Sequence, residues 1–103
     1  MFTARSKNDV YIRLTFERWE HIVRRHPELI ECRGWMIETV ENPEFIMKGD
    51  YGELLAVRFF ENSPVASKYL VVAYKEVTPF DGYILTAYFT RRYSERRKIV
   101  WKK

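Results

Sequence analysis

Cysteine occurs once in this 103-residue chain, at Cys32, and histidine twice, at His21 and His26. One cysteine cannot close an internal disulfide, which fits a reducing compartment. Three scattered ligands, His21, His26 and Cys32, match no standard zinc spacing, so no metal is expected. There is no phosphate-cradling glycine loop, no G-x-S-x-G elbow and no paired-carboxylate motif, and no cofactor is expected. No apolar run approaches the roughly 20 residues of a membrane span, and the N-terminus lacks the apolar core of a secretory signal. The expectation is a cytoplasmic protein with no membrane segment. Linkers rich in Pro, Gly or Ser, internal repeats and low-complexity tracts are also missing. A single domain over 10–101 is therefore expected, behind a loose polar arm over 1–9.

What the chain has is aromatic and basic. Hydrophobic residues make up 47%, with 7 Tyr, 7 Phe and 3 Trp, enough to fill a packed interior and to exclude a disordered chain. The net charge of +4 hides an asymmetry. Residues 91–103 carry seven basic side chains (Arg91, Arg92, Arg96, Arg97, Lys98, Lys102, Lys103) against Glu95 alone, whereas residues 15–90 carry eight basic and twelve acidic groups. A cluster of this kind attracts polyanions, nucleic acid above all. A solvated tail that serves solubility is the plainer reading of the same run.

The densest chemistry lies in Trp19-Glu20-His21-Ile22-Val23-Arg24-Arg25-His26-Pro27-Glu28. Thr15 suits a helix N-cap, and Glu17 stands in the first turn, where the helix dipole favours a negative charge. Phe16, Trp19, Ile22, Val23 and His26 recur at helical spacing on one stripe, with His21 elsewhere. Pro27 disfavours helical geometry at His26 and stops the helix there. A second helix is predicted from about Gly34 to Glu41, ended by Asn42-Pro43.

Val10–Leu14 is a short strand candidate before the first helix. From Glu44 onward the period changes to two. Strands are predicted over 45–48, 53–60, 68–76 and 83–90, separated by turn-forming segments, and Ile99-Val100-Trp101 is either an edge strand or a cover for the core. The short links suggest an antiparallel meander. Alternation places Leu55, Val57 and Phe59, then Leu70, Val72 and Tyr74, then Tyr83, Leu85, Ala87 and Phe89 in apolar rows. The opposite face then collects Arg58, Lys75, Thr86, Tyr88 and Thr90. The architecture expected is α+β: two N-terminal helices packed on the apolar face of a four- to five-stranded antiparallel sheet.

The polar face has parts for metal-free phosphate chemistry. RNA cleavage by internal transesterification needs a base for the 2′-OH, an acid for the leaving 5′-oxygen and cations for the charge on phosphorus. His26 can act as acid or base, Arg58 offers a planar fork for phosphate, Lys75 adds charge, and Thr86 and Tyr88 supply hydroxyls. Exposed rings can stack bases. Each also has an ordinary structural reading: a satisfied histidine near an apolar helix face, solvated cations and common strand residues.

The segments Leu14-Thr15-x-Glu17-Arg18-x-x-His21-Ile22-x-x-Arg25-His26-Pro27-Glu28, Thr39-Val40-x-Asn42-Pro43-Glu44, Tyr69-Leu70-Val71-Val72 and Ile84-Leu85-Thr86-Ala87-Tyr88, with a closing Trp101, resemble the phage-barnase-type branch of the nuclease superfamily named BECR after barnase, EndoU, colicin and RelE. The resemblance runs from about residue 10 to 101. It implies two helices before an antiparallel sheet and a metal-independent endoribonuclease of toxin or phage-related type, with RNA as substrate and an antitoxin protein as a possible partner. It carries an active site to His26, Arg58 and Thr86, with His21 and Tyr88 as weaker additions; Lys75, Arg91, Arg92, Arg96, Arg97 and Lys98 are the expected nucleic-acid contacts. A non-catalytic RNA- or DNA-binding module, or a protein-interaction domain using exposed aromatics, are the alternatives.

Overall fold

Thr15 sets the start of the first helix as expected: its side chain accepts a hydrogen bond from the Arg18 backbone N–H at 3.1 Å, and α1 runs over Phe16–Arg25. The computed structural model, which describes residues 1–103, has an α+β architecture. Its remaining elements are β1 (Phe2–Arg5), β2 (Tyr11–Leu14), α2 (Arg33–Glu41), β3 (Phe45–Lys48), β4 (Leu54–Phe59), β5 (Tyr69–Glu76), β6 (Asp81–Thr90) and β7 (Ile99–Lys102). A 3-10 turn, Pro27–Leu29, follows α1 because the proline ring cannot extend the helix.

All seven strands join one sheet in the order β1-β2-β6-β5-β4-β3-β7. Five of the six strand pairings are antiparallel, but β2 lies parallel to β6, so the sheet is mixed. This corrects the expected four- to five-stranded antiparallel sheet. The loose arm is corrected too: residues 2–5 pair with β2 along their whole length, Ala4 and Ser6 are buried, and Arg5 N–H donates to Glu41 at 3.1 Å. Ile99–Lys102 resolves as an edge strand on β3.

Two apolar clusters lie on opposite faces of the sheet. On the helix side, Trp19, Ile22, Leu29, Met36 and Val40 pack with Ile12, Leu14, Ala56, Leu70, Val72, Tyr74, Ile84 and Ala87. On the outer face, Phe45, Met47, Leu55, Val57, Val71 and Ala73 form a second cluster, joined by Tyr69, Leu85, Tyr88 and Tyr93. The crossover 91–98, which carries β6 to β7, supplies Tyr93 to this cluster; its ring stands edge-on to Phe45 at 4.7 Å and to Tyr69 at 5.3 Å.

The expected β5 row of Leu70, Val72 and Tyr74 does face the helices. The β4 row is inverted: Leu55 and Val57 face outward and Ala56 faces the helices. In β6 the row breaks at a bulge, where Ala73 pairs Thr86 but Tyr74 pairs Ile84, leaving Leu85 as the extra residue. Ile84 and Ala87 thus share the helix face while Leu85 joins the outer cluster.

Candidate active site

The geometry of the His26 region follows from where β2 ends. β2 pairs with β6 only from Asp81 to Tyr83, then the chain turns at Thr15 into α1. The edge of β6 beyond Tyr83 has no strand beside it, and α1 lies against it. His26 closes that helix: its backbone N–H donates to Ile22 at 2.8 Å, and the chain leaves helical geometry at φ −132°, ψ 74°. Its ring is carried past the sheet edge to within 6.4 Å of the Tyr88 ring, centre to centre, tilted by 36°. Residues 62 positions apart, predicted to share a site, are neighbours.

The 3-10 turn adds a group the sequence did not single out. Leu29 is fully buried in the core, and its N–H donates to His26 O at 3.0 Å, which holds the turn tight. Glu28, between Pro27 and that anchor, brings a carboxylate oxygen to 3.9 Å from His26 Nδ1. That oxygen, Oε1, is buried and has no hydrogen-bond partner in the protein. A buried carboxylate oxygen without a donor is costly. It is available to a protonated imidazole that closes a further ångström. The signal in the sequence was only proximity, Glu28 two residues after His26.

Tyr88 lies on the outer face with Thr86, both half-buried. Burial raises the Tyr88 phenol above its usual 10.0, with Arg97 opposing and Glu53 reinforcing the shift. Tyr88 is accordingly a neutral proton donor across the physiological range. Lys75 shares this face, opposite Tyr83 in the ladder, and its ammonium lies beside Gly52, where an added Cβ would sit 3.9 Å from Nζ. Arg97 is held by Asp50 at 3.1 Å and donates to Lys48 O at 3.4 Å. Arg91, Arg92, Arg96 and Lys98 are exposed on the same crossover and form no ion pair.

Arg58 is placed elsewhere. Its guanidinium is on the helix face, where Nη2 meets Glu38 at 3.1 Å and Nη1 donates to Asn42 O at 2.7 Å. The expected sharing of a face by Arg58, Lys75, Thr86 and Tyr88 is therefore corrected for Arg58, because β4 presents its even-numbered residues to the helices. His21 stands exposed on α1, and Cys32 is buried with its thiol pointed at Glu28 O at 3.7 Å. No group of three or more His, Cys, Asp and Glu side chains is placed to hold a metal ion. No helix is long and apolar enough to cross a membrane.

The arrangement therefore combines an imidazole beside a carboxylate, a neutral phenol facing the imidazole, and a basic crossover beyond them. Comparison with known proteins returned no matching family model, no matching curated protein and no matching solved structure.

Proposed function

We propose that this chain is a metal-independent endoribonuclease whose site is centred on His26 and Tyr88. The observation that carries the reading is the 6.4 Å approach of these two rings at the open edge of β6, on the side of the sheet that the basic crossover spans. In the reaction, neutral His26 takes the proton of the 2′-OH as that oxygen attacks phosphorus. The bond from phosphorus to the 5′-oxygen breaks, and a 2′,3′-cyclic phosphate forms. The Tyr88 phenol, whose pKa burial holds above its usual 10.0, gives its proton to the leaving 5′-oxygen, and the proton taken by His26 returns to the phenolate when the site resets. Glu28 stabilises the imidazolium that results, and Arg97, whose charge acts on Tyr88, offsets charge on the phosphate.

The test is incubation of total RNA with the purified protein in EDTA beside His26→Ala, followed by analysis of product termini. The reading expects EDTA-resistant cleavage, 2′,3′-cyclic phosphate ends and loss of both in the variant. Cleavage unchanged in His26→Ala overturns it.

A non-catalytic RNA-binding module is the second reading, favoured by the four exposed and unpaired cations of the crossover. It expects salt-sensitive binding and no turnover in the same experiment.

A further inference from the structure

Around the edge of the sheet from the His26 site lies a second concavity. The β1–β2 turn folds over the end of the sheet, where Ser6 Oγ donates to one Glu76 oxygen at 2.5 Å and Asn8 Nδ2 to the other at 2.9 Å. These bonds fix the turn as a wall. Between it and β7 is a groove of about 410 Å³ lined by Lys7, Lys48, Lys98 and Trp101, with Ile46 and Leu54 among its apolar side chains. Lys7 Nζ lies over the Trp101 ring, 5.2 Å from its centre, so that face of the indole borders the groove with a flexible cation resting on it. The two carboxylates that border it already accept hydrogen bonds, Glu76 from Ser6 and Asn8, Glu53 from the Tyr51 N–H at 2.8 Å.

This groove is not isolated. Lys48 and Lys98 also line a wholly polar cleft beside Arg96 and Arg97, and Ser94 and Arg96 of that cleft line a third, which reaches Arg91 and Tyr69. The three concavities share residues end to end and follow the crossover from the outer face round the β3–β7 edge. A path on which cations outnumber the carboxylates Asp50 and Glu95, ending at an aromatic face, suits one flexible polyanion strand with a base at its end. A duplex keeps its base faces stacked on one another and offers none to the indole.

We propose that the Trp101 groove is an unpaired-nucleotide subsite: an RNA single strand follows the crossover, stacks one base on Trp101 in the place of the Lys7 ammonium and sets its phosphates against Lys7, Lys48 and Lys98. This rests on the RNA reading above and adds to it that the substrate is single-stranded and several nucleotides long.

The test uses His26→Ala protein, so that RNA survives, in EDTA with a fluorescein-labelled oligouridine of about ten nucleotides, within the span such surfaces cover. Adding Trp101→Ala weakens binding on the order of ten-fold, adding Trp101→Phe retains most of it, and adding Lys7→Ala with Lys98→Ala weakens it and lowers its salt dependence. A blunt RNA duplex of equal length is indifferent to all three. Oligouridine affinity unchanged in both the Trp101→Ala and the lysine variants, or equal loss in Trp101→Phe and Trp101→Ala, overturns the inference. Wild-type cleavage with no effect of Trp101 sinks the subsite and spares the nuclease. Trp101-dependent binding without wild-type cleavage does the reverse.

Discussion

Arg58 and Glu38 meet at 3.1 Å on the helix side of the sheet, where the same guanidinium caps the end of α2 through Asn42 O at 2.7 Å. One side chain thus ties β4 to the last turn of a helix whose N-terminus has no side-chain cap. Arg58→Ala is expected to cost about 1 kcal/mol, since the ion pair is partly exposed and screened and the hydrogen bond to the carbonyl is the larger part. Cleavage per folded molecule is expected to stay at the wild-type level. Urea unfolding and an RNA assay on the same preparation check both; lost cleavage at unchanged stability would return Arg58 to the site.

Tyr74 is fully buried on β5 with its hydroxyl unpartnered. Tyr74→Phe removes that unpaired group and keeps the ring, so stability is expected to hold or rise by about 1 kcal/mol. Burial raises the folded-state phenol above its ordinary 10.0, with Glu76 adding to the shift. Folded Tyr74 therefore keeps its proton where the unfolded chain releases it. Its contribution is complete below pH 10 and is lost as pH climbs beyond it. Unfolding curves from pH 8 to 11 are expected to converge less steeply in Tyr74→Phe; identical slopes would contradict this.

Deletion of residues 1–9 uncovers the β2 edge and removes Ala4 and Ser6 from the interior, together with the Arg5–Glu41 and Ser6–Glu76 bonds. The loss is expected to reach on the order of 3 kcal/mol, from apolar burial and broken part-buried hydrogen bonds. A truncated chain that melts at the wild-type temperature would restore the loose-arm reading.

Arg91, Arg92 and Arg96 have no carboxylate partner. Their triple alanine variant is expected to weaken single-stranded RNA binding and to lower the slope of log Kd against log salt by about 2, since each lost phosphate contact removes about 0.7. Titrations at four salt concentrations measure the slope. An unchanged slope would mean that the crossover does not touch phosphate.

The errors of face in the sequence reading share a cause. Alternation marks a strand only when one side is wet, and Leu54-Leu55-Ala56-Val57 is apolar throughout because the crossover covers the outer face as the helices cover the inner one. Leu55 and Val57 made the more regular row and were assigned to the wrong side. In β6 the alternation holds after the bulge, where Ala87 and Phe89 meet the helix-side core, and fails before it, where Ile84 takes that face and Leu85 the other; no residue type announces the bulge. The parallel β2–β6 pair joins segments about 70 residues apart, and β1 is polar enough to pass for an arm.

Where the signal is local, the sequence was sufficient. Thr15 began α1, Pro27 ended it, Asn42-Pro43 ended α2 and the four central strands lie within two residues of their expected limits, because capping bonds, ring sterics and turn chemistry act between near neighbours. The meeting of His26 with Tyr88 and the removal of Arg58 to the other face were decided by tertiary structure alone. They depend on where β2 stops, on one bulge and on which side of β4 the helices occupy. Those are outcomes of long-range packing, in which many weak apolar contacts act together and no single residue carries the instruction.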